Sequence, residues 1–274
     1  SLVPTGARSA GSAPMLVAEL LAAVERLAPP ALAEEWDNVG LLVGRHNQPV
    51  RRVLVALELR DEVLGEAAEL GCEAVLTHHP TIFPALSAVT DDATAAELVL
   101  QAAEARVAVI AAHTNLDAAS GGLNDIMAGM LGLNVTAPLR PSPVDPTVGL
   151  GRVGQAPARM TLEKLVNRAG EVFSAPRRYV GDPSAKVRTM ACCTGSGASL
   201  LPDAIAVGAD VYVTSDLKYH DADRAPGLAL ISLPHARVER VAMKTWARIL
   251  ERALAPDDVE VRFAVTDTDP WQHG

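Results

Sequence analysis

Two adjacent histidines, His78 and His79, directly follow a predicted strand and are the residues best suited to chemistry in this sequence. Other residues of ligand type also follow apolar runs, and these are His113 with Asp117, Asp216 with His220, and His235 with Glu239. In an open α/β sheet, groups that follow the strands can meet at the carboxyl edge even when they are far apart in sequence. Histidines and carboxylates placed in this way predict a site for two metal ions.

The histidine pair alone also has a plain structural interpretation. Adjacent residues on an extended segment point in opposite directions, so one imidazole could lie in the core and the other in solvent. Both can serve one metal site only if the strand ends there and the backbone turns. Pro80 favours that turn, because proline cannot continue a ladder of hydrogen bonds.

The histidine and acid sets further along the chain likewise allow two interpretations. His235 and Glu239 are four residues apart, so on a helix they share one face and can bind one ion. Alternatively, His235 is a surface residue and Glu239 pairs with Arg240. Asp117 is a candidate ligand, but in its place before a turn it could instead cap a helix or form an Asx turn.

The residue types narrow the choice of metal. Histidines and carboxylates without thiolate suit Zn, Mn or Fe rather than Cu(I) or a cysteine-bound structural zinc. Few protein ligands per ion leave coordination positions open, which is the arrangement of a catalytic site. Two ions about 3.5–4 Å apart can activate water and polarise a substrate oxygen. The Gly-rich segment Thr194-Gly195-Ser196-Gly197 lacks the lysine of a phosphate-binding P-loop.

Composition indicates a folded protein of a reducing, cytoplasmic setting. Of the 274 residues, 49% are hydrophobic and 21% charged, and the net charge of −9 argues against a general nucleic-acid surface. The three cysteines form no CxxC pair and no even disulfide set, which favours buried thiols. No apolar run approaches the roughly 18 residues of a membrane-spanning helix. Residues 1–14 lack the apolar region of a signal peptide, and we expect a disordered tail there.

The elements that must position the candidate residues form a repeated pattern of strand, helix and strand. The predicted ranges are 53–57, 61–70 and 74–77 in the first copy, and 187–192, 200–207 and 211–214 in the second. Each copy should be a right-handed parallel βαβ unit, with Gly71 ending the first helix. The segment 71–77 matches 208–214 in residue type at most positions. We therefore predict two related α/β halves that face a shared cleft.

Further elements are predicted between and after these units. They are a helix from Thr94 to about 105 with capping-box spacing to Glu97, a helix over 123–131, loops and a connecting strand over 138–157, a helix N-capped by Thr161, a helix over 235–254 and a strand over 259–265.

Five motifs occur together in a specific order. They are Glu35-Trp36-Asp37-Asn38-Val39-Gly40-Leu41, Thr77-His78-His79-Pro80, His113-Thr114-Asn115-Leu116-Asp117, Thr214-Ser215-Asp216 with His220, and His235 with Glu239. In these motifs the chain from Met15 onward resembles the Nif-three-like family, also called the GTP cyclohydrolase I type 2 homologues, in its short form without an inserted domain. The resemblance implies two related α/β domains with a metal site in the cleft between them, and a toroidal homohexamer built as a dimer of trimers.

The resemblance also implies roles for individual residues. The ligands of two divalent ions would be His78, His79, Asp117, His235 and Glu239, with Glu239 bridging. His113 and His220 would lie beside the metals, and we take His220, Asp216 and His113 as the candidate catalytic residues.

These observations lead to one predicted function and one alternative. We predict a metal-dependent hydrolase that acts on a small, nucleotide-like substrate; the alternative is a non-catalytic metal-binding scaffold or regulatory protein. Residues 15–122 with 229–274 are predicted to form the first domain, and residues 123–228 the second.

Overall fold

The computed structural model describes residues 13–272, which form two compact units. The first unit contains the chain up to Asn115 together with Met243–Thr268, and the second contains Leu116–Ala242 together with the chain from Asp269 onward. Residues 1–12, which make up most of the predicted tail, lie outside the described residues. Within residues 13–272, no helix is long and apolar enough to cross a membrane.

Strands and helices alternate along much of the chain. Up to residue 118 they are β1 (Met15–Leu16), α1 (Val17–Leu27), β2 (Gly40–Val43), β3 (Pro49–Val50), β4 (Arg52–Ala56), α2 (Asp61–Leu70), β5 (Ala74–Thr77), α3 (Thr94–Glu104), β6 (Ala108–Ala111) and α4 (Thr114–Ala118). They continue with α5 (Leu123–Leu131), β7 (Asn134–Pro141), β8 (Gly149–Gln155), α6 (Leu162–Phe173), β9 (Arg178–Val180), β10 (Thr189–Ser196), α7 (Leu201–Ala206), β11 (Val211–Ser215), α8 (Tyr219–Asp223), β12 (Ala229–Leu233), α9 (His235–Leu254) and β13 (Glu260–Phe263).

The first unit is built on a five-stranded sheet in the order β13-β4-β5-β6-β2. Four strands run parallel, and β2 is antiparallel to β6 at the edge. All residues of β5 and β6 are buried, as expected for parallel strands that are covered on both faces. The predicted parallel unit β4–α2–β5 is confirmed, and Gly71 ends α2 with a left-handed φ of 64°, which glycine adopts without steric cost.

The second unit is built on a six-stranded sheet in the order β7-β8-β10-β11-β12-β9. β10, β11 and β12 run parallel, which confirms the second predicted βαβ unit. Alternate residues of β10 face opposite sides of the sheet. Met190 and Cys192 pack in one core with α5 and α6, whereas Ala191 and Cys193 pack in another with α7.

The two units repeat one topology. In the first, β2 precedes three parallel strands in the chain and pairs with the last of them, giving the order β4-β5-β6-β2. In the second, β9 does the same and gives the order β10-β11-β12-β9. A helix, α1 or α6, precedes each set. The strand order therefore agrees with the predicted internal repeat.

Some predicted boundaries differ from the structure. The predicted first domain includes 229–274, whereas β12 pairs with β11 inside the sheet of the second unit. The residues of a short apolar strand do not indicate which strand it will pair with. The sheet to which β12 belongs could therefore not be predicted from its sequence. The two domain ranges otherwise stay a prediction.

Two local predictions were only partly confirmed. Residues 138–157 contain the predicted loop and strand, but they also hold the end of a second strand, β7, which pairs antiparallel with β8. Pro138 is tolerated there because β7 is an edge strand. The helix predicted from Thr94 to about 105 is present as α3, but its N-cap is Ala93, which makes no side-chain hydrogen bond, so the capping box is absent. Thr161 does cap α6, accepting a hydrogen bond from the backbone N–H of Lys164.

Candidate metal centre

Three imidazoles come together at the carboxyl edge of the sheet in the first unit. His78 and His79 follow β5, and His113 follows the adjacent parallel strand β6. One ring nitrogen from each of the three histidines lies within 4.8 Å of the others. The ring centroids are 5.1 to 5.7 Å apart. The turn predicted at Pro80 therefore does bring both adjacent histidines to one place.

Each of these rings has an oxygen beside its Nδ1 atom. His78 Nδ1 lies 2.9 Å from the carbonyl oxygen of Ala112, and His79 Nδ1 lies 3.6 Å from Glu58 Oε2. His113 Nδ1 lies 2.9 Å from Asp37 Oδ1. With Nδ1 directed to these oxygens, each imidazole can offer Nε2 to a cation.

The carboxylates beside His79 and His113 are ionised over the whole physiological range. Burial alone would raise the pKa of Asp37, but hydrogen bonds from His113 and Thr114 outweigh it and lower the pKa to about 2. For Glu58, burial is likewise opposed by hydrogen bonds from His79 and Arg60, and the pKa lies below its usual range. An ionised carboxylate only accepts hydrogen bonds, so the Nδ1 of His113 donates to Asp37.

A histidine and a glutamate share one face at the start of α9 in the second unit. His235 Nε2 lies 3.0 Å from Glu239 Oε2, and His235 Nδ1 lies 2.7 Å from Asp216 Oδ2. Burial would lower the pKa of His235, but the contacts with Glu239 and Asp216 outweigh it and raise the pKa to about 9. This i, i+4 pair was predicted from spacing, and the helix places both side chains together.

Asp117 is held by the end of β10. Its Oδ1 accepts a hydrogen bond of 2.8 Å from the hydroxyl of Thr194. Asn124 connects the same two residues, since its side chain donates to the carbonyl of Asp117 and accepts from the backbone N–H of Thr194. Asp117 therefore has a fixed orientation, and its carboxylate is one of the few buried acidic groups of this unit.

The three predicted catalytic residues differ in their surroundings. Asp216 is the hydrogen-bond partner of His235, so its carboxylate orients a candidate ligand. His220 is exposed on α8, where its ring lies against that of Tyr219 with centroids 5.3 Å apart. His113 is part of the three-imidazole cluster.

A family model described as Duf34/NIF3 (NGG1p interacting factor 3) matches residues 15–270. The chain belongs to the DUF34/NIF3 family. The GTP cyclohydrolase 1 type 2 homolog of Clostridium perfringens is 33% identical to this NIF3-family chain over 262 residues, covering 94% of this chain and 99% of the relative. The homolog of the same name from Streptomyces coelicolor is 37% identical over 265 residues, covering 93% of each chain. The family predicted from the motifs is confirmed.

Solved structures confirm the α/β fold class. A Bacillus cereus protein related to NIF3 matches with a TM-score of 0.89 and 26% identity, covering 96% of this chain and 100% of that one. Reduced HcgD from Methanocaldococcus jannaschii matches with a TM-score of 0.78 and 27% identity, covering 92% and 98%.

The donor set of this NIF3-family chain fits a divalent cation bound by nitrogen and oxygen. The cluster offers imidazoles, and the start of α9 offers an imidazole and a carboxylate. The thiols do not compete with these donors for a cation, because all three cysteines are buried. Burial raises the pKa of Cys72 to about 11 and that of Cys192 to about 12. Mixed imidazole and carboxylate donors suit Zn, Mn or Fe.

Sequence reasoning missed several supporting residues. They are Asp37, Glu58, Asn124, Thr194 and Gly195, each of which contacts or makes room for a candidate ligand. Asp37 belonged to a recognised motif but had no assigned role. Thr194 and Gly195 belong to the Gly-rich segment, whose residue types carry no sign of a place beside metal ligands.

Proposed function

We propose that this chain is a divalent-metal-dependent hydrolase that holds two ions of Zn, Mn or Fe through His78, His79, Asp117, His235 and Glu239. The observation that most directly supports the proposal is the group of three imidazoles, each with an oxygen beside Nδ1. Metal-binding histidines almost always have such a partner, which fixes the ring orientation. Two bound ions would supply an activated water and a polarised substrate oxygen.

The protein residues have separate tasks in this proposal. Asp216 orients His235, and Thr194 orients Asp117, so both ligands are held in place before an ion binds. Glu239 is the proposed bridging ligand. We assign proton transfer to His220 among the three candidate catalytic residues, because its side chain is exposed and Asp216 is already engaged with His235.

A nucleotide-like substrate is supported by two exposed aromatic rings. Trp36 and Phe83 are 58% and 49% exposed in a chain with only 3% aromatic residues. Their centroids lie 6.2 and 6.4 Å from that of His113. Stacking of a base on an aromatic side chain contributes about 1–3 kcal/mol per base. The relatives named GTP cyclohydrolase 1 type 2 homolog point to the same class of substrate.

The second candidate is a non-catalytic metal-binding scaffold or regulatory protein. One observation favours it: the family description, NGG1p interacting factor 3, names a member by its interaction with another protein. Under either function we propose a cytoplasmic location and a homohexamer built as a dimer of trimers.

Metal analysis of the purified protein tests the first part of the proposal. We expect about two divalent ions per chain, and we expect Glu239→Ala to lose both, because Glu239 would be a ligand of each ion. Glu251→Ala changes an exposed glutamate on the same helix and should keep both ions. The metal-loaded protein should hydrolyse a member of a panel of nucleotides, and Glu239→Ala should be inactive.

The possible outcomes separate the two candidates. A wild-type protein purified without chelators that carries less than about half an ion per chain would contradict the metal centre and with it both candidates. Full metal content without turnover of any nucleotide would favour the scaffold.

A further inference from the structure

We propose that the first unit has a second ligand site, which binds a phosphate monoester of about nucleotide size through Arg45 and Arg106. The site is an open cavity of about 790 Å³ that these two arginines line together with Gln48 and Glu73. Cavities that bind small molecules usually measure roughly 300–1,000 Å³, so this one has the volume for such a ligand. The inference goes beyond the proposed function and does not depend on it.

The cavity lies at the amino edge of the five-stranded sheet, whereas the three imidazoles of the candidate metal centre lie at the carboxyl edge. Glu73 directly precedes β5, and Val107 directly precedes β6. His78 and His113 follow the same two strands at their other ends. Each strand has four residues at about 3.3 Å per residue, so the length of the strands separates the cavity from the imidazoles. A ligand bound in the cavity would therefore occupy a site of its own.

Hydrogen bonds of Gln48 fix the backbone on both sides of the cavity. Its side-chain amide donates to the carbonyl of Arg106 at 2.6 Å and to that of Glu73 at 3.0 Å. Its backbone N–H donates to the carbonyl of Arg45 at 3.1 Å. Gly44 lets this segment lie against β6, since a Cβ atom there would be 3.0 Å from the strand's backbone. The two arginines therefore extend from fixed positions on neighbouring segments.

Both guanidinium groups are available to a ligand. In the part of the chain that the structure describes, neither makes a hydrogen bond or an ion pair. The carboxylate of Glu73 is directed elsewhere, because its Oε2 accepts hydrogen bonds from the backbone N–H groups of Arg51 and Arg52 at 3.0 and 2.9 Å. With two arginines and one glutamate, the cavity has a net charge of +1 in a chain whose net charge is −9. This local charge favours an anionic ligand.

The backbone of Arg106 indicates a role for its side chain. Arg106 precedes β6 with a left-handed φ of 55°. Glycine holds the left-handed position in the corresponding loops before β5, β11 and β12, as Gly71, Gly208 and Gly227, and Asp258 holds it before β13. Glycine and aspartate tolerate this conformation, whereas arginine adopts it at a cost in free energy. The backbone therefore does not favour arginine here, and the side chain that it carries lines the cavity.

Two guanidinium groups suit a phosphate monoester better than a single carboxylate. Each guanidinium presents N–H groups in a planar fork that can bind two oxygens of one anion. A phosphate monoester has three acceptor oxygens and a charge of about −1.5 to −2 at pH 7, so it can bind both arginines at once. The apolar part of the lining, which includes Ala102 and Val107, would contact the organic part of the ligand.

Calorimetric titration of the full-length protein with adenosine monophosphate tests the inference. We expect Arg45→Ala and Arg106→Gly each to weaken binding by about tenfold or more, because hydrogen bonds to a charged group are lost. Adenosine, which lacks the phosphate, should not bind in the cavity. Arg51→Ala removes an exposed arginine that does not line the cavity, and this control should bind like the wild type.

Arg106→Gly also separates binding from folding. Glycine fits the left-handed backbone, so this variant should be at least as stable as the wild type in thermal unfolding while its affinity falls. A variant that loses stability but keeps its affinity would show that Arg106 serves the fold, and this result would contradict the inference.

Hydrogen exchange locates the bound ligand. Adenosine monophosphate should protect backbone amides of residues 44–49 and 102–107 in the wild type. Glu239→Ala should retain this protection and the affinity that depends on the two arginines, because the cavity contains none of the proposed metal ligands.

The outcomes distinguish this inference from the proposed function. Three results would overturn the cavity site and leave the metal centre unaffected. They are no binding of adenosine monophosphate by the wild type, full binding by both arginine variants, and protection confined to segments that hold the proposed metal ligands. A wild-type protein that carries no metal but binds adenosine monophosphate through the two arginines would overturn the proposed function alone.

Discussion

Glu239 occupies space that exists because residue 195 has no side chain. A Cβ atom at Gly195 would lie 2.6 Å from Glu239 Oε1 and 3.4 Å from His235 Nε2. The first distance is too short for any real contact, so a side chain there would displace the carboxylate. Gly195 also has a φ of +64°, in the left-handed region that favours glycine. The Gly-rich segment at the end of β10 therefore makes room for the candidate ligands Glu239 and His235.

We expect Gly195→Ala to weaken metal binding and also to lower the stability. The left-handed backbone alone costs about 1–2 kcal/mol for alanine. Gly208→Ala is a matched control, since Gly208 has a φ of +67° and a Cβ there would meet nothing within 4 Å. Urea unfolding should show a loss of stability in both variants, whereas metal titration should show weaker binding only for Gly195→Ala. Equal metal affinity in the two variants would contradict the role of Gly195.

At the scale of elements, one buried arginine ties α4, α5 and β8 together in the second unit. The guanidinium of Arg152 donates to both carboxylate oxygens of Asp125 and to the carbonyls of Gly149, Gly151, Ala118 and Ala119. Its side chain is 4% exposed. These carbonyls end α4 or belong to β8, so the arginine supplies hydrogen bonds that the elements cannot make for themselves.

Replacement of this arginine should be costly. Arg152→Met keeps most of the side-chain volume, but it leaves buried carbonyls without their donor and Asp125 without its cation, and we expect a loss of about 3 kcal/mol. Arg140→Met removes a partly exposed pair with Asp203 and should cost less than about 1 kcal/mol. Denaturant unfolding of both variants measures the difference. A similar loss of unfolding free energy in the two variants would mean that Arg152 does not stabilise the fold more than Arg140 does.

At the scale of the whole molecule, two units with one topology each carry part of the proposed ligand set. The first supplies His78 and His79, and the second supplies Asp117, His235 and Glu239. In both, the ligands follow the carboxyl ends of parallel strands, where functional groups of α/β sheets gather. The two sheets thus have similar carboxyl edges, but the proposed metal ligands that they carry differ.

Assembly is the prediction that belongs to this scale. The family resemblance implies a homohexamer, and closed symmetric assemblies are the usual outcome for homo-oligomers. An enclosed cavity would exclude bulk water and strengthen the electrostatic interactions of a metal site. Multi-angle light scattering should give six times the chain mass of 28.7 kDa. A stable monomer at micromolar concentration would remove the cavity and favour the partner-binding alternative.

Much of this protein could be predicted from local patterns in its sequence. The βαβ units, the glycine that ends α2, the long helix α9 and the i, i+4 pair His235 and Glu239 depend on residues close together in the chain. Such features follow from hydrophobic periodicity and helix geometry, which a sequence displays directly. The order of the motifs was specific enough to give the family.

The tertiary structure decided the contacts between distant residues. Asp37 and His113 are 76 residues apart, and Thr194 and Asp117 are 77 apart, so no local pattern connects them. The sheet that contains β12 depended in the same way on a ladder with β11. Strand register and side-chain packing bring these groups together only after the chain has folded. The sequence by itself therefore determined which residues are candidate metal ligands, and the folded structure determined which groups orient them.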